Sequence, residues 1–194
     1  DNRNIEQNGM VDGVRTHFGT NTSIVCLSSI DEVIRSIQLE KCEIGVLAMP
    51  TNDQNFWWID LIEYSRAVEH SREKIQIIAK LPIIFNSDNS TEYLIIAKCK
   101  PDSSGNDNTF LAVEASKKLT SGFIQDHLNT NSLKLEIIAD YNGKPKPGYF
   151  LYLLHANGFI REIDMEFKNL ELYSLENSLD IKILGNYAEP IELN

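Results

Sequence analysis

The sequence lacks the features that would assign it at once to a membrane or nucleic-acid-binding class. No apolar run approaches the roughly 20 residues that a membrane-spanning helix needs, and the longest candidate, residues 75–85, is interrupted by polar residues and Pro82. Excess positive charge is also missing, because 18 basic side chains stand against 28 acidic ones, for a net charge of −10. Since nucleic-acid phosphates require a basic face, we expect neither nucleic acid nor a membrane as a partner.

Cysteine is scarce and irregularly spaced. Cys26, Cys42 and Cys99 are an odd number and form no CxxC pair, which argues against a disulfide framework and against a zinc site. We expect reduced, buried thiols in a cytoplasmic protein, since no signal-peptide pattern opens the chain. The first residue is not Met, so we interpret the chain as a processed product or as a piece of a longer protein.

Short motifs for several chemistries are absent as well. The sequence contains no GxSxG, HExxH, GxxxxGK[ST] or GxGxxG, and so offers no nucleophile elbow, zinc helix or phosphate loop. Its four histidines, His17, His70, His127 and His155, are scattered without ligand spacing. The sequence therefore predicts no metal ion and no cofactor.

Helical and strand patterns nevertheless alternate through the first hundred residues. Residues 1–13 have little periodicity and are interpreted as a loop or a cut end, and the β-branched run 22–27 predicts a strand. Ser29 and Glu32 form a capping box before a helix whose apolar residues recur at helical spacing. Residues 43–49 predict the next strand, which completes a βαβ unit with a right-handed crossover.

The remainder of the first half predicts a helix over 56–71 and strands over 75–80 and 91–99. Trp57 and Trp58 are adjacent and must point to different sides of that helix, so we expect one in the core and the other in the core or at an interface. Residues 100–108 contain no apolar side chain other than Pro101 and predict an exposed linker, at which we place a domain boundary.

A compact pattern follows the linker. Strands are predicted over 109–115, 133–141, 149–155 and 181–186, and helices over 119–128 and 163–175. This β-α-β-β-α-β order is the ferredoxin-like arrangement. The expected fold class is therefore α/β, with a βαβ unit in residues 1–107 and a ferredoxin-like unit in residues 108–194.

Three segments resemble prephenate dehydratases. Residues 28–50 (SSIDEVIRSIQLEKCEIGVLAMP) are similar to the place where a helix S-x-E-E-V-x-x-A-V precedes a strand D-Y-G-V-V-P-I-E-N-S. Residues 180–190 (DIKILGNYAEP) are similar to the V-K-V-L-G-S-Y-P strand that ends the ACT-type regulatory domain of those enzymes, and residues 88–98 (DNSTEYLIIAK) to their N-x-T-R-F-L-V-I strand. The order of these blocks looks closest to a divergent bacterial group in which a chorismate mutase precedes a shortened dehydratase-like region.

The resemblance implies a truncated dehydratase-like lobe in residues 1–107 and an ACT-like domain in residues 108–194. The chain departs from it at the catalytic motif, where Thr-Arg-Phe is replaced by Thr91, Glu92 and Tyr93. Thr91 is the candidate catalytic residue that survives, and its alternative is a packing role in a strand. Glu92 would repel the dicarboxylate prephenate, whereas an arginine would bind it.

Candidate ligand-binding residues come from two further blocks. His17 lies in an HFG block that resembles the divergent group, and its alternative is a histidine satisfied at a helix end. Thr120, Ser121 and Gly122 stand where the ACT domains carry the G-A-L motif that grips phenylalanine. Since that motif is not kept, the identity of the ligand stays open.

The expected function is that of a non-catalytic or degenerate dehydratase/ACT-like portion of a chorismate mutase-linked protein in phenylalanine biosynthesis. Its role would be assembly or regulation, as a homodimer, with a small molecule or an amino acid as effector. Two alternatives stay open: an active prephenate dehydratase with non-standard residues, and a stand-alone small-molecule sensor of ACT shape. Any mutase activity would reside in a module upstream of Asp1.

Overall fold

A computed structural model describes residues 2–51, 55–68, 74–85, 91–124, 128, 133–142 and 148–192, with the backbone alone for residues 2–8 and Ser121. The helices are α1 (Asn2–Phe18), α2 (Ile30–Gln38), α3 (Trp57–Ala67), α4 (Ser121–Phe123) and α5 (Met165–Glu176). The strands are β1 (Ile44–Ala48), β2 (Gln76–Leu81), β3 (Ile84–Phe85), β4 (Tyr93–Ala97), β5 (Asp107–Ala115), β6 (Leu135–Tyr141), β7 (Phe150–Asn157), β8 (Leu179–Ala188) and β9 (Ile191–Glu192).

Seven of the described strands form one mixed sheet in the order β1-β4-β2-β8-β5-β7-β6. Every neighbouring pair in it is antiparallel except β2 and β8, which run parallel with Ile77 opposite Gly185. The short strands β3 and β9 form a separate parallel pair. The two halves of the chain therefore share a single sheet.

The second half has the predicted β-α-β-β-α-β order. Its strands lie in the order β8-β5-β7-β6 and are antiparallel throughout. Leu119, Ile124 and Leu128 from the first helical segment pack into the same core as Phe167 and Leu170 of α5. The ferredoxin-like prediction is confirmed for the part of this half that the structure describes.

Helices cover both faces of the sheet. Alternate residues of a strand point to opposite faces, and Phe110 and Ala112 of β5 belong to the core under α2 and α3, whereas Leu111 and Val113 belong to the core under α5. In the first half, α1 covers the opposite face from α2 and α3, and its Met10 packs beside β2 and β4. The result is a three-layer α/β/α arrangement.

Helix α2 begins as the capping box predicts. The Ser29 hydroxyl accepts a hydrogen bond from the Glu32 amide at 3.3 Å. The Glu32 carboxylate reaches back one residue further than expected and accepts from the Ser28 amide and hydroxyl, each at 2.9 Å. These hydrogen bonds, the one from the Ser28 amide foremost, lower the pKa of Glu32.

The predicted strand over 22–27 is wrong, and with it the parallel βαβ unit. The segment is irregular and Val25 is 65% exposed. β-Branched residues favour a strand where neighbouring strands and a core are available to them, and this segment lies outside the sheet. Strand β1 pairs instead with β4, in antiparallel register.

The interpretation of residues 1–13 as a loop is also wrong, since helix α1 runs through them. Gly9 and Gly13 weaken any helical pattern because glycine is a poor helix former. Packing against the sheet supplies the stability that local preference does not, and Val14 is 6% exposed in that contact.

Both tryptophans lie in the core, so neither is available at an interface. Trp57 is 9% exposed and Trp58 is fully buried. The Trp57 indole Nε1 donates to the Ala48 carbonyl at 2.7 Å and so ties α3 to the end of β1.

The prediction that the three thiols are buried is wrong. Cys26 and Cys99 are exposed and Cys42 is half-buried. Each lies outside the regular elements: in the unpaired segment, after β4, and between α2 and β1.

The linker is exposed as predicted at Lys100 and over residues 102–106, but Pro101 is half-buried, and Asp107 and Asn108 are buried at the start of β5. The division at 107/108 stays a prediction, and the shared sheet crosses it. Arg66 of α3 crosses it too, and donates to Glu114 of β5 at 2.5 Å and to Asp180 at 3.1 Å. None of the helices in the described ranges combines the length and apolar character of a membrane-spanning helix.

Candidate functional site

A cavity of about 430 Å³ lies between α1 and the end of β2. Helix α1 contributes Gly9, Gly13, Thr16 and His17 to its lining. The facing wall consists of residues 81–84, and Thr91 and Tyr93 complete it. Small-molecule sites occupy roughly 300–1,000 Å³, so the space suits a ligand of modest size.

Helix α1 approaches the sheet through its glycines. Gly9 and Gly13 are four residues apart and so lie on one face of the helix. A Cβ atom at Gly13 would lie 3.0 Å from Tyr93 Cε2, which is tighter than ordinary contact. At Gly9 the nearest atom would be Tyr93 Oη at 3.8 Å. Gly13 thus permits close packing on the tyrosine ring, and Gly9 leaves space open.

The opposite wall is apolar. Leu81 ends β2, the Leu81–Pro82 peptide bond is cis, and Ile83 and Ile84 follow. The Ile191 amide donates to the Ile83 carbonyl at 2.8 Å, and β9 pairs with β3 directly beyond it. The last strand of the chain therefore holds this wall in place.

The polar groups of the lining are three hydroxyls and one imidazole. Thr16 Oγ1 donates to the Asp12 carbonyl at 2.8 Å. The His17 ring is exposed and meets the Phe18 ring edge-on, with centroids 4.8 Å apart. Thr91 is exposed, whereas Tyr93 is 6% exposed. Among the described lining residues there is no carboxylate, lysine or arginine.

Glu92 is turned away from this cavity. Leu94 and Ile96 belong to the core on the α2/α3 face, and Tyr93 and Ile95 to the core on the α1 face. Lys80, opposite Leu94 in the register, pairs with Glu92 through Nζ and Oε1 at 2.7 Å. The position that follows Thr91 therefore offers the cavity no positive charge, and its negative charge is met by Lys80.

The structure brings together two of the predicted site residues. His17 and Thr91, far apart in sequence, line the same cavity. Thr120 and Gly122 lie in the other half of the chain, outside this lining. Thr120 Oγ1 accepts from the Phe123 amide at 3.1 Å, as a residue does at the start of a helix. Ser121 begins the helical turn α4, and its side chain is outside the described part.

Sequence reasoning found His17 but missed the other α1 residues of the lining, Gly9, Gly13 and Thr16. The spacing of Gly9 and Gly13 is the pattern that could have indicated them, because glycines four residues apart allow close approach along a helix face. Tyr93 was noted as the replacement for a phenylalanine, but its contact with Gly13 was not foreseen.

A second polar group lies on the other face of the sheet. His155 Nε2 and Tyr187 Oη are 3.1 Å apart, and the Phe110 ring lies against both side chains, with ring centroids at 5.6 and 5.5 Å. Burial lowers the pKa of His155, and the charges of Glu136 and Glu189 oppose that shift without reversing it. Burial also raises the pKa of Tyr187 far above its ordinary value. His155 and Tyr187 are thus two neutral side chains that hydrogen-bond to each other, and we interpret them as a structural pair.

Metal-binding geometry is not found in the described ranges. No three side chains of histidine, cysteine, aspartate or glutamate converge there in a way that could hold an ion. His70 and His127 lie outside the described residues.

No family model and no curated protein sequence matches the chain. Solved structures do resemble it. The prephenate dehydratase from Streptococcus mutans aligns with a TM-score of 0.57 and 16% identity, over 93% of this chain and 92% of that one. The prephenate dehydratase from Arthrobacter aurescens, in complex with L-Phe, aligns with a TM-score of 0.59 and 9% identity, over 94% and 87%.

A third similar structure has a different described activity. GqqA, described as a novel type of quorum quenching acylase, aligns with a TM-score of 0.61 and 15% identity, over 91% of this chain and 88% of that one. The chain therefore has a prephenate-dehydratase-like fold, as the sequence resemblance predicts. Because a fold can carry several chemistries, the function must be argued from the site.

Proposed function

We propose that this chain is a non-catalytic or degenerate prephenate-dehydratase-like unit of cytoplasmic aromatic amino acid biosynthesis. Its role is assembly or regulation beside a chorismate mutase module. One observation carries the proposal: Thr91 lies in a cavity whose described lining contains no arginine or lysine, and Glu92 is paired with Lys80 on the other face.

The charge requirement of the reaction supports this reading. Prephenate carries two carboxylates, and its dehydration needs a group that assists departure of the hydroxyl. Bidentate arginine contacts and preorganised positive charge are the usual means of binding and stabilising such anions. In this cavity His17 is the described lining residue that can carry positive charge.

The second half supports a regulatory role. Its ferredoxin-like order is that of the ACT domains it resembles in sequence. Thr120, Ser121 and Gly122 stay predictions for an effector contact, at the exposed start of α4. An amino-acid effector would act there, away from the cavity.

The test is an assay of phenylpyruvate formation from prephenate at neutral pH. We expect the purified chain to match the uncatalysed rate, while an established prephenate dehydratase measured alongside converts the substrate. Turnover on the scale of ordinary enzymes, about 1 per second or more, would overturn the proposal.

One observation favours the alternative of an active enzyme with non-standard residues, because His17 and Thr91 line one cavity. If turnover is found, Thr91→Val and His17→Gln decide whether it belongs to this site. Loss of activity in both variants, with unchanged stability, would establish the alternative.

We also propose that the chain forms a homodimer. The apolar side chains of residues 133–141 and 149–154 predict the contact surface of the dimer. Residues 151–154 are buried within the sheet, whereas Tyr149 is 41% exposed. Strand β6 lies at the sheet edge, with half-buried Ile138 at its bulge, and an edge strand needs cover. Twofold pairing is the commonest solution. Light scattering should report twice the 22.0 kDa mass of one chain. The variant Ile138→Lys should have the mass of a single chain. A monomeric wild-type chain would contradict the proposal.

A further inference from the structure

We propose that the cavity between α1 and the end of β2 binds an apolar monocarboxylate and discriminates against amino acids and dicarboxylates of the same carbon skeleton. The ligand class is an aryl or branched-alkyl group joined by a short chain to a single carboxylate. This inference rests on the proposed function, because it assigns a ligand to a cavity that does not carry out dehydration.

The wall formed by residues 81–84 favours a ligand with an apolar part. Leu81, Pro82, Ile83 and Ile84 present continuous hydrocarbon to the cavity. The volume of about 430 Å³ holds a six-membered ring and a short chain. Ile83 is 41% and Ile84 is 54% exposed, so a ligand would remove apolar surface from water, which favours binding.

The polar side chains of the lining favour a ligand with a single carboxylate. His17 supplies a ring N–H and can carry one positive charge. The hydroxyl of Thr91 lies in the same lining, whereas the proton of the Thr16 hydroxyl is donated to the Asp12 carbonyl. A carboxylate accepts hydrogen bonds only, and it is bound most strongly by charged donors, so these groups match one carboxylate.

The described lining residues offer an ammonium group no anionic partner. The described lining contains no carboxylate or amide side chain. The nearby carbonyl of Asp12 accepts from Thr16 Oγ1, and that of Ile83 accepts from the Ile191 amide. Taking an ammonium out of water without an anionic partner is costly, so an amino acid should bind less tightly than its deaminated analogue.

Once His17 binds one carboxylate, the described lining offers no second cationic partner for another. The cation nearest in sequence to the cavity wall is Lys80, which points to the other face and is held by Glu92. The added charge would therefore lie against the apolar wall with one imidazole shared between two anions. Its desolvation would not be compensated.

Three probes with the same phenyl body test the ranking by isothermal titration calorimetry on the full chain. They are 3-phenylpropanoate, L-phenylalanine, which adds an ammonium group, and benzylmalonate, which adds a second carboxylate. We expect measurable binding of 3-phenylpropanoate, and affinities at least tenfold lower for the other two. Equal or tighter binding of either, or no binding of 3-phenylpropanoate, would overturn the inference.

Variants locate the binding. Gly9→Leu places a side chain where the only described neighbour is Tyr93 Oη, improves helix preference, and should abolish binding. Arg15→Leu, exposed on the same helix but outside the lining, is the matched control and should bind as the wild type. His17→Gln should weaken binding at least tenfold, and His17→Lys should retain it. Binding unaffected by Gly9→Leu and His17→Gln would contradict the assignment.

The two proposals fail separately. Conversion of prephenate would overturn the proposed function, and the ranking of the three probes would still decide the ligand class. Absence of turnover together with absence of 3-phenylpropanoate binding would overturn the ligand class alone.

Discussion

Ile77 of β2 and Gly185 of β8 are the partners through which the two halves of the sheet join, and they approach so closely that only glycine fits at the second position. A Cβ atom at Gly185 would overlap the backbone nitrogen and oxygen of Ile77. The φ of Gly185 is +146°, a conformation that other residues rarely adopt. Gly185 lies in the LGNY block that resembles the end of the dehydratase regulatory domain, so this motif has a structural reason in the present fold.

Gly185→Ala should lower the free energy of unfolding by about 3 kcal/mol or more, because it adds both a backbone clash and strain. Gly105→Ala is the control, since Gly105 also has positive φ, at +94°, but has no neighbour within 4 Å of a new Cβ. It should cost about 1 kcal/mol. Urea unfolding of both variants measures the difference; equal costs would show that the Ile77 contact is unimportant.

Arg66→Met should destabilise the chain by about 2–3 kcal/mol, because it removes the Arg66 ion pair and hydrogen bond from the carboxylate of Glu114, which is 7% exposed. The double variant Arg66→Met/Glu114→Gln should recover part of the loss, since the buried charge is then removed. Arg161→Met breaks an exposed ion pair with Asp164 and should change stability little. A double variant no more stable than Arg66→Met would contradict this account of the pair.

His155→Gln should make stability less dependent on pH between about 7 and 5. Because the pKa of His155 is lowered in the folded chain, chiefly by burial, the unfolded chain binds more protons in this range. Stability therefore rises with pH through the window and is lost as the pH falls toward the folded pKa. Chemical unfolding at several pH values measures the slope.

The charged side chains around His155 provide a control for that experiment. Glu136 and Glu189 raise the pKa of His155, and Lys80 lowers it. Glu136→Gln should lower that pKa further and steepen the loss of stability toward acid. A slope unchanged by both substitutions would exclude His155 as its source.

Asp107→Asn should lower the urea midpoint at pH 7 and have less effect near pH 3. Burial raises the pKa of Asp107, but hydrogen bonds from Ser104, Ser103 and Gly105 together lower it below its ordinary value. The ionised form thus stabilises the fold above the ordinary pKa, and that contribution is lost as the pH falls through the folded one. A difference that persists unchanged at pH 3 would contradict the role of the charge.

Local sequence patterns correctly predicted the elements that are stabilised by their own residues. Ser29 and Glu32 define the start of α2. In the second half, the alternation of predicted strands and helices along the chain is sufficient to indicate the ferredoxin-like arrangement. Residues 22–27 have strand preference but lie outside the sheet, where no strand pairs with them. Helix α1 has little helix preference but packs against the sheet. In both, tertiary packing outweighs the local preference.

Two residues of the site were predictable from the sequence, but their arrangement was not. His17 and Thr91 were each found through sequence resemblance, and their meeting depends on α1, which no periodicity revealed. The charge of the cavity was equally hidden, because the direction in which Glu92 points depends on the strand register that sets it beside Lys80. Register is a property of paired strands, and a single segment does not define it.

The central place of β8 in the sheet has a consequence for the order of folding. Strand β8 lies between β2 and β5, yet it is synthesised after both of them. Until residues 179–188 leave the ribosome, β2 has a free edge on the side that β8 will occupy, and an unpaired edge is a template for association between chains. The nascent first half therefore exposes this edge of β2 until residues 179–188 have been synthesised.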